Sequence, residues 1–151
     1  MIKKIALVSL ATVLLGGCQT AEVNWQQDST VMVEEMMIEL KSSLWIDKMP
    51  TIGEASSSEQ NLHAALSIES KDELPAQLEV VSVSIKQGAE TWLIESEEID
   101  VRTHSASHWE LAFAWQLPIS PDTPADIAIQ LNNNGNEKWL VEHDVNIDVV
   151  Y

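Results

Sequence analysis

From residue 36 to the end of the chain, apolar residues recur with a period of two, and no segment after residue 40 carries a helical stripe. A period of two is the mark of extended strands with one buried face. Met36, Ile38, Leu40, Leu44 and Ile46 share one parity, with Glu39 and Lys41 on the other. Residues 31–40 also admit a helical reading, but alternation fits Met36 to Ile46 better. Leu62, Ala64, Leu66 and Ile68 alternate with His63, Ser67 and Glu69. Leu78 to Ile85 is a β-branched run whose parity shifts between Val80 and Val81, which predicts a bulge or burial on both faces. Trp92 and Ile94 form the next strand, and Ile99 with Val101 a short one. Trp109, Leu111, Phe113 and Trp115 alternate with Glu110, Ala112, Ala114 and Gln116, and Ile127, Ile129 and Leu131 alternate with Ala128 and Gln130. The last strand places Trp139, Val141, Val145, Ile147 and Val149 on one face and Glu142, Asp144, Asn146 and Asp148 on the other.

Turn residues punctuate these runs. Lys86-Gln87-Gly88-Ala89-Glu90 reads as a hairpin loop. Asn134-Gly135 is the strongest short hairpin signal, because both residues tolerate positive φ. Seven or eight short strands separated by turns predict an all-β chain, an antiparallel two-sheet sandwich, with a small β-barrel as the alternative. The spacing over residues 34–151 resembles an immunoglobulin-like or fibronectin-III-like domain in architecture only. The Cys-Trp-Cys pattern of antibody domains is absent, and the single tyrosine is Tyr151, so no tyrosine corner exists.

The N-terminus carries an address. Lys3 and Lys4 precede an apolar run, Ile5 to Leu15, that is shorter than the roughly 20 residues a membrane-spanning helix needs. Leu15-Gly16-Gly17-Cys18 follows, and Cys18 is the only cysteine. This stretch resembles the signal peptide and lipobox of bacterial lipoproteins. The resemblance implies cleavage before Cys18, lipid on its thiol and acylation of the new amino group with a palmitate-type chain. In a Gram-negative cell, Gln19 in place of the aspartate that retains lipoproteins at the inner membrane implies the periplasmic face of the outer membrane. The expected layout is a signal peptide over 1–17, a lipidated Cys18 with a flexible tether through residue 30, and one domain over 31–151. Within the tether, Trp25 has two destinations, the lipid headgroups or the domain itself.

Charge narrows the partners. Cleavage removes Lys3 and Lys4 and leaves six Lys and Arg against 24 Asp and Glu, a formal charge of −18. Anionic lipids repel such a body, so membrane attachment rests on acyl chains, of which two or more give stable anchoring. Nucleic acid is excluded as a partner, because its binding requires cations that displace counterions. No disulfide can form, so stability comes from the core.

Few residues carry chemistry. Trp92, Trp109, Trp115 and Trp139 share parity with aliphatic neighbours and are expected in the core. Trp45 lies opposite in parity to Leu44 and Ile46, so a regular strand turns it outward as a candidate partner contact. His104 and His108 are weak metal candidates. In a straight strand they stand about 13 Å apart, and only a tight loop at Ser105-Ala106-Ser107 brings them together. His63 is expected at solvent and His143 at the core or an edge. Met32, Met36 and Met37 offer soft ligands, but a cupredoxin-type site needs a thiolate that Cys18 does not supply. The acidic face from Glu142 to Asp148 is too extended for one calcium ion. No nucleophile elbow, phosphate loop or zincin motif occurs, so no catalytic residue is assigned and no cofactor is expected. The expectation is a non-catalytic, lipid-anchored interaction or envelope accessory module with an envelope protein as partner. A small-ligand or metal-binding lipoprotein, and a hydrolase with a convergent site, are the alternatives.

Overall fold

The alternation resolves into strands wherever the computed structural model describes the chain, over residues 23–48 and 60–151. Ten strands occur among these residues: β1 (Thr30–Val33), β2 (Met36–Asp47), β3 (Gln60–Ser70), β4 (Leu78–Gln87), β5 (Glu90–Glu95), β6 (Asp100–Ser105), β7 (His108–Leu117), β8 (Ala125–Asn133), β9 (Asn136–Val145) and β10 (Ile147–Val150). A single 3-10 turn, Ser96–Glu98, links β5 to β6. The expected signal peptide over 1–17, Cys18 and Gln19 lie outside the described residues.

The strands form two sheets. Sheet one runs β1-β2-β3-β7-β6, with β10 also on β2; sheet two runs β5-β4-β8-β9. Lettered A to G from β2, with β5 as an extra strand, the sheets order as A-B-E-D and C-F-G, the order of constant-type immunoglobulin sandwiches. This is a likeness of strand order alone. The pairings are antiparallel except that of β10 with β2, which is parallel.

The inner faces follow the parity of the sequence. Ile38, Leu40, Leu44 and Ile46 of β2, Leu62, Leu66 and Ile68 of β3, and Leu111 of β7 meet Val83, Ile85, Ile94, Ile127, Ile129, Leu131 and Leu140 of sheet two. Each such side chain contributes about 1.5–3 kcal/mol by leaving water. Trp92, Trp109 and Trp115 pack against this core, as expected.

Local turn chemistry sets the registers. Asn134 and Gly135 adopt φ of 53° and 84° between the paired residues Asn133 and Asn136, a two-residue loop that matches strand twist. Asn132 Oδ1 accepts from Gly135 N at 2.8 Å and pins that loop. Gly88, at φ 60°, opens the β4–β5 hairpin. The expected irregularity in β4 lies between Val80 and Ser82.

Two expectations are corrected. The strands number ten rather than seven or eight, because β1 is a separate hairpin arm and the last strand breaks at Asn146. Trp139 is not a core residue. Leu140 takes the core position, and Trp139 turns to the outer face of sheet two, where its Nε1 donates to Glu137 Oε1 at 2.6 Å. The cause is a bulge. Between the pairs Ile127–Glu142 and Ala125–Val145, β9 advances three residues while β8 advances two. Asp144, at φ 54°, absorbs the extra residue and reverses the parity of everything before it. His143 stands exposed on this bulge of the edge strand β9, 3.4 Å from Asp126 Oδ2, the edge placement of its two alternatives. Val101 is 45% exposed: β6 is an edge strand, and Ile99 alone of that pair is buried.

The segment before β1 meets the domain at Trp25, Asp28 and Ser29. Ser29 O accepts from Leu40 N and Asp28 O from Val141 N, at 2.8 and 2.9 Å. Trp25 is half buried, with Lys86 Nζ 5.4 Å from its ring centre. Lys86 lies on the outer face of sheet two, one rung from the buried pair Ala128 and Val141. Of its two destinations, Trp25 takes the domain.

Candidate interaction face

The outer face of sheet one carries the residues with chemistry, and strand register arranges them in cross-strand rows. One row is Asp148, Trp45, His63 and Ala114. The next is Ser43, Ala65, Ala112 and Asp100. Beyond it lie Lys41, Ser67, Glu110 and Arg102, then Glu39, Glu69 and His108. Rows on one face are spaced by about 6.7 Å, two residues of strand rise.

Side-chain size turns these rows into a trough. Trp45 stands outward, and its ring stacks on that of His63 with centroids 5.5 Å apart and planes 7° from parallel. Ala114 ends the Trp45 row and the adjacent row offers small side chains until Asp100 on β6, so the surface drops to Ala65, Ala112 and Ala114. Glu110 bounds the far side, and Glu98, Asp100 and Arg102 close the β6 end. The trough is open to solvent and has a volume of about 350 Å³.

The charged groups around it are largely paired. Arg102 Nε lies 3.0 Å from Asp100 Oδ2, and Glu110 Oε2 lies 2.5 Å from His104 Nε2. Glu98 has no partner among the described residues. Further along, Lys41 Nζ sits 3.2 Å from Glu69 Oε2. The hydrogen bond to Glu69, and then the charges of Glu69 and Glu39, hold the Lys41 ammonium above its ordinary range. Such exposed pairs orient side chains but add little stability.

The β6–β7 hairpin makes the tight turn that His104 and His108 require. Ser105 pairs with His108 across a register shift, and the two imidazoles approach to 4.9 Å between centroids. They do not converge on a common point. His104 Nε2 faces Glu110, while His108 Nε2 faces Ser67 Oγ at 3.3 Å and Glu69 Oε1 at 3.6 Å. Among the described residues, no group of three or more His, Cys, Asp or Glu could hold a metal ion. The Ser67–His108 contact is not a catalytic triad either. A triad places the carboxylate on the imidazole nitrogen remote from the serine, and here both partners share Nε2.

The acidic strand face at the C-terminus is dispersed. Glu142 Oε1 accepts from the backbone N of Ser42 at 3.0 Å, Asp144 sits in the bulge, and Asp148 lies beside Trp45 on β10. Met32 and Met37 pair on the β1–β2 hairpin, each about half exposed, at 47% and 51%.

The outward parity of Trp45 was readable from sequence; its partner His63 and the alanine floor were not. Their only signal is that Ala65, Ala112 and Ala114 fall on outward parities, which becomes a trough once register aligns them.

No family model matches this chain, and neither a curated protein nor a solved structure resembles it significantly.

Proposed function

We propose that the chain is a periplasm-facing lipoprotein, anchored through lipid on Cys18, that works as a non-catalytic protein-interaction or envelope accessory module. The observation that carries this reading is the trough beside Trp45. An upright aromatic pair next to a floor of small side chains gives a partner an anchor point and room to approach. The N-terminal segment supports it. With Trp25 against the domain, Cys18 is seven residues away, a reach of about 24 Å at full extension. The trough lies on the outer face of sheet one, opposite the face of the sandwich against which Trp25 packs. Confinement at the membrane raises the effective concentration of the module for envelope partners.

The test is photo-crosslinking in cells from position 45, followed by mass spectrometry of the adducts. A discrete protein adduct that disappears in the Cys18→Ala variant supports the reading. Failure to form one from a normally folded, membrane-bound chain overturns it.

The volume of the trough favours one second reading, a small-ligand-binding lipoprotein, since small-molecule sites begin at about 300 Å³. A low-molecular-weight compound that co-purifies with the protein and is lost in Trp45→Ala distinguishes it from the first.

A further inference from the structure

We infer that the trough receives a cationic side chain of the partner protein, a lysine or arginine lying along its aliphatic stem. This rests on the interaction-module reading and names the chemistry of the partner. Three carboxylates, Glu98, Asp100 and Glu110, border the cavity against one cation, Arg102. Arg102 is already matched by Asp100, and Glu98 is free among the described residues. An anionic group entering here meets surplus negative charge at every wall but one. A cationic head finds Glu98 unpaired and the outer side of Glu110 within the same cavity.

The floor selects the kind of cation. The methyl groups of Ala65, Ala112 and Ala114 accept no hydrogen bond, so they cannot share in hydrating a compact ion. They suit the methylene stem of a long basic side chain, which buries its carbons while its head stays at polar groups. The His63 ring, held upright by Trp45, supplies a flat wall against which a guanidinium plane can lie. A bare metal ion is a poor occupant, because no described group of three ligands could hold it. The strong negative charge of the mature chain steers a basic segment toward the domain, and the trough provides the place where it stops.

The experiment is calorimetric titration of the full-length, detergent-solubilised protein with tetra-arginine peptide, with spermidine in parallel. Saturable binding of the peptide is expected. Glu98→Gln and Glu110→Gln should each weaken it about two- to fivefold, the range for exposed ion pairs. Ala114→Phe, at an exposed floor position, leaves charge unchanged, fills the trough and should abolish saturable binding. Glu79→Gln, exposed on β4 of sheet two, should have no effect. Equal weakening by Glu79→Gln, or intact binding in an Ala114→Phe chain with an unchanged unfolding transition, assigns the affinity to bulk charge and overturns the inference. Spermidine binding as tightly as the peptide at the same residues overturns the commitment to a protein side chain. If the peptide does not bind while position 45 still yields a discrete adduct, the cationic chemistry fails and the interaction reading stands. Peptide binding without any adduct has the reverse meaning.

Discussion

Replacing Glu142 with alanine should destabilise the domain although the residue lies far in sequence from the strand it supports. Along one edge of β2, β1 pairs with residues 36–39 and β10 with residues 44–47. Leu40 N is satisfied by Ser29 O, which leaves the Ser42 N–H in the gap between two strands. Glu142 reaches across from β9 and accepts that hydrogen at 3.0 Å. A hydrogen bond to a charged acceptor contributes about 1.5–3 kcal/mol, and a stranded, partly buried N–H costs about 1–3 kcal/mol. Glu142→Ala should therefore lose about 2 kcal/mol. Glu142→Gln keeps a carbonyl acceptor of the same reach and should lose about half as much. Urea unfolding of the purified protein reads both. With m of about 1–3 kcal/mol/M, the alanine variant should shift its midpoint down by about 1 M at unchanged m. A loss in Glu142→Ala below about 0.5 kcal/mol, or equal losses in the two variants, refutes the reasoning that this carboxylate acts as a missing rung of the sheet.

Three further outcomes are expected. Ser42 Oγ is buried without a hydrogen-bond partner among the described residues, so Ser42→Ala should stabilise the domain by about 1 kcal/mol in the same urea assay. Glu34 and Glu35 form the β1–β2 loop at φ of 48° and 64°, a left-handed geometry that costs roughly 1–2 kcal/mol per ordinary residue. Replacing the pair with Asn-Gly should raise the unfolding midpoint, and a fall would show that the loop is not built this way. Leu140→Ala should cost about 2–5 kcal/mol and Trp139→Ala clearly less, although Trp139 is the larger residue, because the bulge at Asp144 puts Leu140 inside; the opposite ranking would contradict that register.

The contrast between the two hairpin loops shows what the sequence made legible. Asn134-Gly135 announces positive φ through residues that favour it, and the β8–β9 hairpin was read correctly. Glu34-Glu35 performs the same turn with residues that resist it, so β1 carries no local signal and the first strand reads only from Met36. Parity succeeded in β2, β3, β7 and β8, where the ladder is uninterrupted through the core. It failed in β9, where one inserted residue exchanged the roles of Trp139 and Leu140. The site divides in the same way. Trp45 could be placed outward from its own strand alone. The stack with His63, the approach of His104 to His108 and the alanine floor all depend on which residues face each other across strands. That register is set by long-range pairing, which a single chain's periodicity does not encode.

The central proposal is that the outer face of sheet one, and not that of sheet two, meets a partner. The most direct measurement compares photo-crosslinking in cells from position 45, on the outer face of sheet one, with that from position 93, which is exposed on the outer face of sheet two. The account predicts a discrete protein adduct from position 45 and none from position 93. The same protein adduct from both positions, or one from position 93 alone, would contradict it.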